Sequence, residues 1–284
     1  MDGNEPRRDV AFVLGGGGIL GAHEVGMLRA LAEHSVVPDI VLGTSIGAVN
    51  GALYAAEPSV EGVTRLTELW VESNLAEVSP GGLWRRAGTL ARTGTHVQSF
   101  EEARQRLVAA LPVERVEDLR IPFQCVAASI ERAAEHWFAS GVLADVVLAS
   151  CAVPGLLPPV RIGDEHFIDG GIVNSIPVAR AVALGAGTIY VLQVGRVETP
   201  LQPPRRPWEV GLVAFEVARR HRFAHDLQSL PDGVRLHILP TGGSAAPAYN
   251  DVAGQLRYRR IARTVAQQIE SAHDASLRYL RQEG

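Results

Sequence analysis

Ser45 stands in Gly43-Thr44-Ser45-Ile46-Gly47, after the apolar run Ile40-Val41-Leu42 and before a helical pattern carrying Ala48, Val49, Ala52 and Leu53. Small residues on both sides suit a sharp strand-to-helix turn that lifts a serine hydroxyl above a sheet edge. The N-terminus of the following helix then favours negative charge developing in acyl transfer. A second glycine cluster, Gly16-Gly17-Gly18-Ile19-Leu20-Gly21, also lies between a strand and a helix. Glycines let backbone N–H groups approach a ligand closely, either as an oxyanion hole or as a dinucleotide loop. The dinucleotide reading needs an acid at the end of the second strand. Gly43-Thr44-Ser45 occupies that place, and Asp39 sits at the wrong end. The third candidate is Asp169-Gly170-Gly171, after the strand-like His166-Phe167-Ile168. A serine nucleophile needs a base, although Asp-Gly taken alone reads as a turn.

The elements that must position these residues follow from periodicity. Val10–Leu14 and 40–42 read as buried strands, with helical spacing from Ala22 to Glu33 and after Ser45. Strand–helix–strand–helix predicts a parallel sheet with helices on both faces. Further helices are expected at 60–73, 100–111, 143–152, 177–184, around Arg219, Arg220 and Arg222, and at 252–281. Strands are expected at 122–128, 136–138, 166–169, 188–194 and 234–239, the first two as a hairpin. Residues 79–95 are broken by glycines, and Leu83, Trp84, Ala87, Leu90 and Ala91 suit one helical face beside Arg85, Arg86 and Arg92. That face is either an interfacial segment or a core stripe. The loops at 198–207 and 241–248 are short for linkers, so the expectation is a single domain over 1–284, with its motif-bearing core at 10–194 and a C-terminal extension at 195–284.

Composition narrows the chemistry. All 27 basic residues are arginine, which excludes a Ser–Lys dyad, a lysine Schiff base and a P-loop lysine. The formal net charge of −4 argues against nucleic acid as a partner. Two cysteines, Cys125 and Cys151, make neither a disulfide framework nor a CxxC metal site, and no histidine pair has zinc spacing, so no metal is expected. The polar N-terminus and the lack of a long apolar run point to a cytoplasmic protein. Asp169 followed by His221, His225 or His237 could satisfy a Ser–acid–His order, but α/β-hydrolases place more strands before their nucleophile. His23 is expected to pack on its helix.

The three motifs, in this order, resemble the patatin-like phospholipase family. Ala149-Ser150-Cys151-Ala152-Val153-Pro154, Pro158-Pro159 and Asn174-Ser175-Ile176-Pro177 add to the resemblance, which covers 10–194. It implies a three-layer α/β/α sandwich with a mostly parallel sheet. It also implies a lipid acyl hydrolase or carboxylesterase that needs no cofactor, acts on a lipid or acyl-ester substrate and contacts membranes transiently at their periphery. By this resemblance Ser45 is the nucleophile and Asp169 its base. Gly16, Gly17 and Gly18 would hold the oxyanion, and Gly21, Gly43, Gly47, Gly170 and Gly171 complete the motifs. The family loop usually carries Arg or Lys before its last glycine; here Leu20 stands there, so a fixed cation is missing. That departure leaves open a neutral ester substrate, and also a catalytically weak binding or regulatory protein. A nucleotide-binding α/β protein is the remaining alternative.

Overall fold

The structure is a computed structural model that describes residues 9–77, 99–194, 200–205, 207–242 and 265–283. The apolar face expected at 83–92 lies outside the described residues. The runs Val10–Leu14 (β1) and Ile40–Thr44 (β2) are buried strands, as their continuous apolar composition requires. With Phe123–Ser129 (β3), Thr188–Leu192 (β7) and Arg235–Ile238 (β8) they form the parallel part of one sheet. Ala134–Phe138 (β4), Val160–Ile162 (β5) and Glu165–Asp169 (β6) are added antiparallel to their neighbours. The order is β5-β6-β3-β2-β1-β7-β8, with β4 also on β3.

Alternation along the strands divides the core in two. Phe12, Leu14 and Val41 pack with Ala22–Glu33 (α1), Ile46–Ala56 (α2), Val60–Glu77 (α3), Leu143–Ser150 (α5) and Val265–Glu283 (α8). Phe100–Ala110 (α4) packs against the same layer. Ala11, Val13, Ile40 and Leu42 face the other way, onto Val178–Ala183 (α6) and Pro207–Gln228 (α7) through Val178, Ala181 and Phe223. Helices therefore cover both faces of a mostly parallel sheet, the α/β/α sandwich expected. The Ser59 hydroxyl caps α3 by accepting from the Gly62 N–H at 3.1 Å. Among the described residues, no helix is long and apolar enough to cross a membrane.

One arrangement in β3 decides where the chemistry can be. Its residues 125–129 pair with β4 along one edge. On the opposite edge, residues 123–126 pair with β2 and residues 127–129 with β6. The two strands run toward each other on that edge: Thr44 ends β2 opposite Val126, and Asp169 ends β6 opposite Ala127. Their C-terminal ends meet head to head.

Candidate active site

Ser45 follows Thr44 directly and begins α2. Its backbone has φ +54° and ψ −123°, a conformation that residues with a Cβ rarely adopt. The turn is tight: a Cβ on Gly47 would collide with the Leu14 carbonyl. Gly43, within β2, faces the backbone of Ala48 just as closely. Two side chains hold the strained residue. Its N–H donates to Ser150 Oγ at 2.9 Å, and Ser150 Oγ donates to the Val126 carbonyl at 2.7 Å. Its carbonyl accepts from the Cys151 thiol at 3.0 Å. Burial, with Asp169 nearby, pushes the Cys151 thiol well up, which keeps its proton in place.

The Ser45 hydroxyl donates to Asp169 Oδ2 at 2.6 Å. Asp169 Oδ1 accepts the Gly171 N–H at 2.7 Å, so the Asp-Gly-Gly turn caps its own short 3-10 helix, Gly170–Ile172. Asp169 is 4% exposed. Burial lifts its carboxyl from 3.8 to about 6, although the Ser45 hydroxyl and the Gly171 N–H favour the charged form. The result is a carboxylate near neutrality, hydrogen-bonded to a serine hydroxyl at the end of a strand. That arrangement can abstract the serine proton.

The glycine loop lies alongside. A Cβ on Gly16 would be 3.5 Å from Ser45 Cβ and 3.2 Å from Ser175 Oγ. The Gly16 N–H, however, donates to the Ser175 carbonyl at 2.9 Å. That N–H is engaged within the fold. Among the described residues, the N–H groups of Gly17 and Gly18 have no acceptor. Gly21 ends the loop's 3-10 turn, Gly18–Gly21. The Leu20 carbonyl is 2.9 Å from Nδ1 of the buried His23, and the Leu20 N–H donates to the Gly17 carbonyl at 3.2 Å.

Other sequence candidates fall elsewhere. His221 and His225 are exposed on α7. His237 stacks on Tyr190 on β8, three strands from β2. Asp39 precedes β2 and accepts the Val10 N–H at 2.9 Å, so it serves the sheet. A cavity of about 310 Å³ lined by Ile40, Phe123, Glu117 and Arg120 lies at the starts of β2 and β3, away from Ser45. Three supporting residues escape a reading by motif. Ser150 clamps the elbow, and Thr44 donates to the Asn174 carbonyl at 2.9 Å. Ser175 anchors the glycine loop. Ser150 and Ser175 lie within stretches that carried the resemblance, but their roles depend on contacts across the fold.

A family model described as patatin-like phospholipase matches residues 12–182. Lysophospholipase nte1 of Aspergillus terreus is 31% identical over 191 residues, 67% of this chain and 12% of that protein. Lysophospholipase nte1 of Emericella nidulans is 32% identical over the same shares. The chain thus spans about an eighth of the length of these relatives. VipD from Legionella pneumophila is similar in structure at 14% identity and a TM-score of 0.47, over 98% of this chain and 67% of that one. The ExoU–SpcU complex of Pseudomonas aeruginosa gives 14% identity and a TM-score of 0.43, over 98% of this chain and 52% of that one. The family match takes in the glycine loop, the serine elbow and the Asp-Gly-Gly turn, the three segments that the sheet brings together. The chain belongs to the patatin-like phospholipase family.

Proposed function

We propose that this chain is a serine-dependent lipid acyl hydrolase or carboxylesterase that works through a Ser45–Asp169 dyad. The observation that carries the reading is the 2.6 Å hydrogen bond from the Ser45 hydroxyl to a buried carboxylate whose pKa is raised to about 6. Asp169 takes the hydroxyl proton as Ser45 Oγ attacks the ester carbonyl carbon. The carbonyl oxygen becomes an oxyanion, which the N–H groups of Gly17 and Gly18 hold; Gly16 supports the loop rather than donating. The tetrahedral intermediate collapses, the alcohol leaves with the proton from Asp169, and an acyl-Ser45 ester remains. Water then gives a proton to Asp169 and attacks the acyl carbon. The acid departs as Ser45 recovers its proton.

The lysophospholipase relatives support a lipid ester as substrate. Val153 and Ile172, each 37% exposed, flank the Cys151 and Asp169 segments and offer apolar contact to a lipid surface. Such contact suits a cytoplasmic protein that meets membranes transiently.

The test is hydrolysis of p-nitrophenyl butyrate and lysophosphatidylcholine, with fluorophosphonate labelling, for the wild type and Ser45→Ala. The wild type should turn over and label; Ser45→Ala should do neither while remaining folded. Labelling of another serine in the variant sinks the assignment. A folded wild type without turnover favours the binding-protein reading that Leu20 raises.

A further inference from the structure

Behind the glycine loop, a polar cluster is buried in a helix interface that could have been apolar. Asn50 lies on α2, five residues after Ser45, among glycine, aliphatic residues and Tyr54. It is fully buried. Its Nδ2 donates to the Gly21 carbonyl at 3.0 Å and to Glu24 Oε2 at 2.8 Å. Its Oδ1 accepts from Trp70 Nε1 on α3 at 2.9 Å. Both amide N–H groups and the amide oxygen are therefore engaged. Glu24 on α1 is also fully buried, and its other oxygen, Oε1, has no partner among the described residues. Burial pushes the pKa of its carboxyl well above the ordinary glutamate value, against the opposing influence of the Asn50 hydrogen bond. Burying an incompletely satisfied carboxyl is costly relative to an apolar side chain. What the cluster supplies in return is a fixed geometry.

The hydrogen bonds around the loop show which geometry that is. At its start, the Gly15 N–H donates to the Leu192 carbonyl at 3.0 Å and the Gly16 N–H to the Ser175 carbonyl at 2.9 Å. At its end, Gly21 is held by Asn50. Gly17 and Gly18, with their open amides, lie between these two anchors. The first anchor belongs to β7 and the segment after Asp169. The second belongs to the helix that Ser45 begins.

We propose that Asn50 is a positioning residue for the oxyanion site. It ties the end of the glycine loop to the nucleophile's own helix, and so sets the distance from Ser45 Oγ to the Gly17 and Gly18 N–H groups. Asn50 does not touch the substrate. Its effect is expected in the transition state, where an oxyanion exists, and not in substrate binding. The inference rests on the acyl-hydrolase reading above.

The experiment compares wild type, Asn50→Ala, Asn50→Asp and Trp70→Phe on p-nitrophenyl butyrate. Activity is normalised to active sites titrated with a fluorophosphonate, so that misfolded protein drops out. Asn50→Asp keeps the shape and the acceptor for Trp70 but removes the N–H donors to Gly21 and Glu24. Both Asn50 variants should lose about 10- to 100-fold in kcat per titrated site, with KM within about twofold. Their fluorophosphonate inactivation rates should fall in parallel, because the phosphonyl oxygen enters the same hole. Trp70→Phe, which keeps the ring and loses only the N–H, should show a smaller fall of the same kind, about 3- to 10-fold. It decides the question if the Asn50 variants do not fold. An unchanged kcat per titrated site, or a rise in KM alone, overturns the proposal while leaving the hydrolase reading intact. A folded wild type that neither labels nor turns over overturns both.

Discussion

Burial raises the Asp169 carboxyl to about 6, and the two consequences for pH have opposite signs. On the dyad reading Asp169 acts as a base only when ionised, so kcat/KM for a neutral ester should rise with pH through about 6 and then level off. Stability moves the other way. Between 3.8 and about 6 the folded carboxyl holds its proton more tightly than the unfolded one. The contribution of Asp169 to stability is therefore fully present below that window, and on the order of 3 kcal/mol of it is lost as the pH rises through it. Asp169→Asn should abolish turnover and remove this component, which urea melts of wild type and variant at pH 4 and pH 7.5 will read. A variant as pH-sensitive as the wild type would assign the titration to another group. Glu24, also raised by burial, would be the first to examine.

At the scale of elements, β3 acts as a ruler for the site, with Val126 and Ala127 as adjacent marks for the ends of β2 and β6. Ser150 on α5 braces the same point by bridging the Ser45 N–H and the Val126 carbonyl. Ser150→Ala would leave two buried backbone groups unpaired, with an expected loss of about 2–3 kcal/mol in a urea melt. It should also lower kcat by roughly tenfold, since a relaxed elbow moves the nucleophile. A loss of stability with unchanged kcat would limit Ser150 to supporting the fold. The strands that carry the site were legible because β1 and β2 are unbroken apolar runs and β6 ends in Asp-Gly-Gly. Strand β5 was not expected: three residues after Pro158-Pro159 are too few to show a period. The expected helix at 252–281 is observed as Val265–Glu283, and residues 252–264 lie outside the described residues. Ser45 stands out in the sequence by its strand-to-helix glycine turn, whereas Asp169 alone reads as an Asp-Gly turn and is singled out only by the order of motifs that carries the resemblance. Ser150, Asn50 and Ser175 act through partners far along the chain, a relation that one sequence does not display.

At the scale of the whole molecule, α8 docks on α1 among the described residues. On α8, Ile269, Ala272, His273, Ser276 and Leu280 are buried at helical spacing. That face lies on α1 where Gly26 leaves room: a Cβ there would strike the Ile269 carbonyl. Gly26→Ala should therefore cost about 1–3 kcal/mol and expose α8 to limited proteolysis. A variant as stable and protease-resistant as the wild type would mean that α8 can shift freely on α1. This docking, together with the pairing of β8 with β7, supports reading the segment after Val194 as part of the same folding unit. The head-to-head meeting of β2 and β6 also has a consequence for synthesis. A chain growing from its N-terminus presents the serine, its elbow and the glycine loop early. The carboxylate comes 124 residues after the serine, and the carbonyl that anchors Gly16 comes later still. On the dyad reading, a stalled or truncated product that stops at Val160 is inert toward the lipids of the cell that makes it. On the same reading, the ability to cut esters would arrive only once the sheet is assembled.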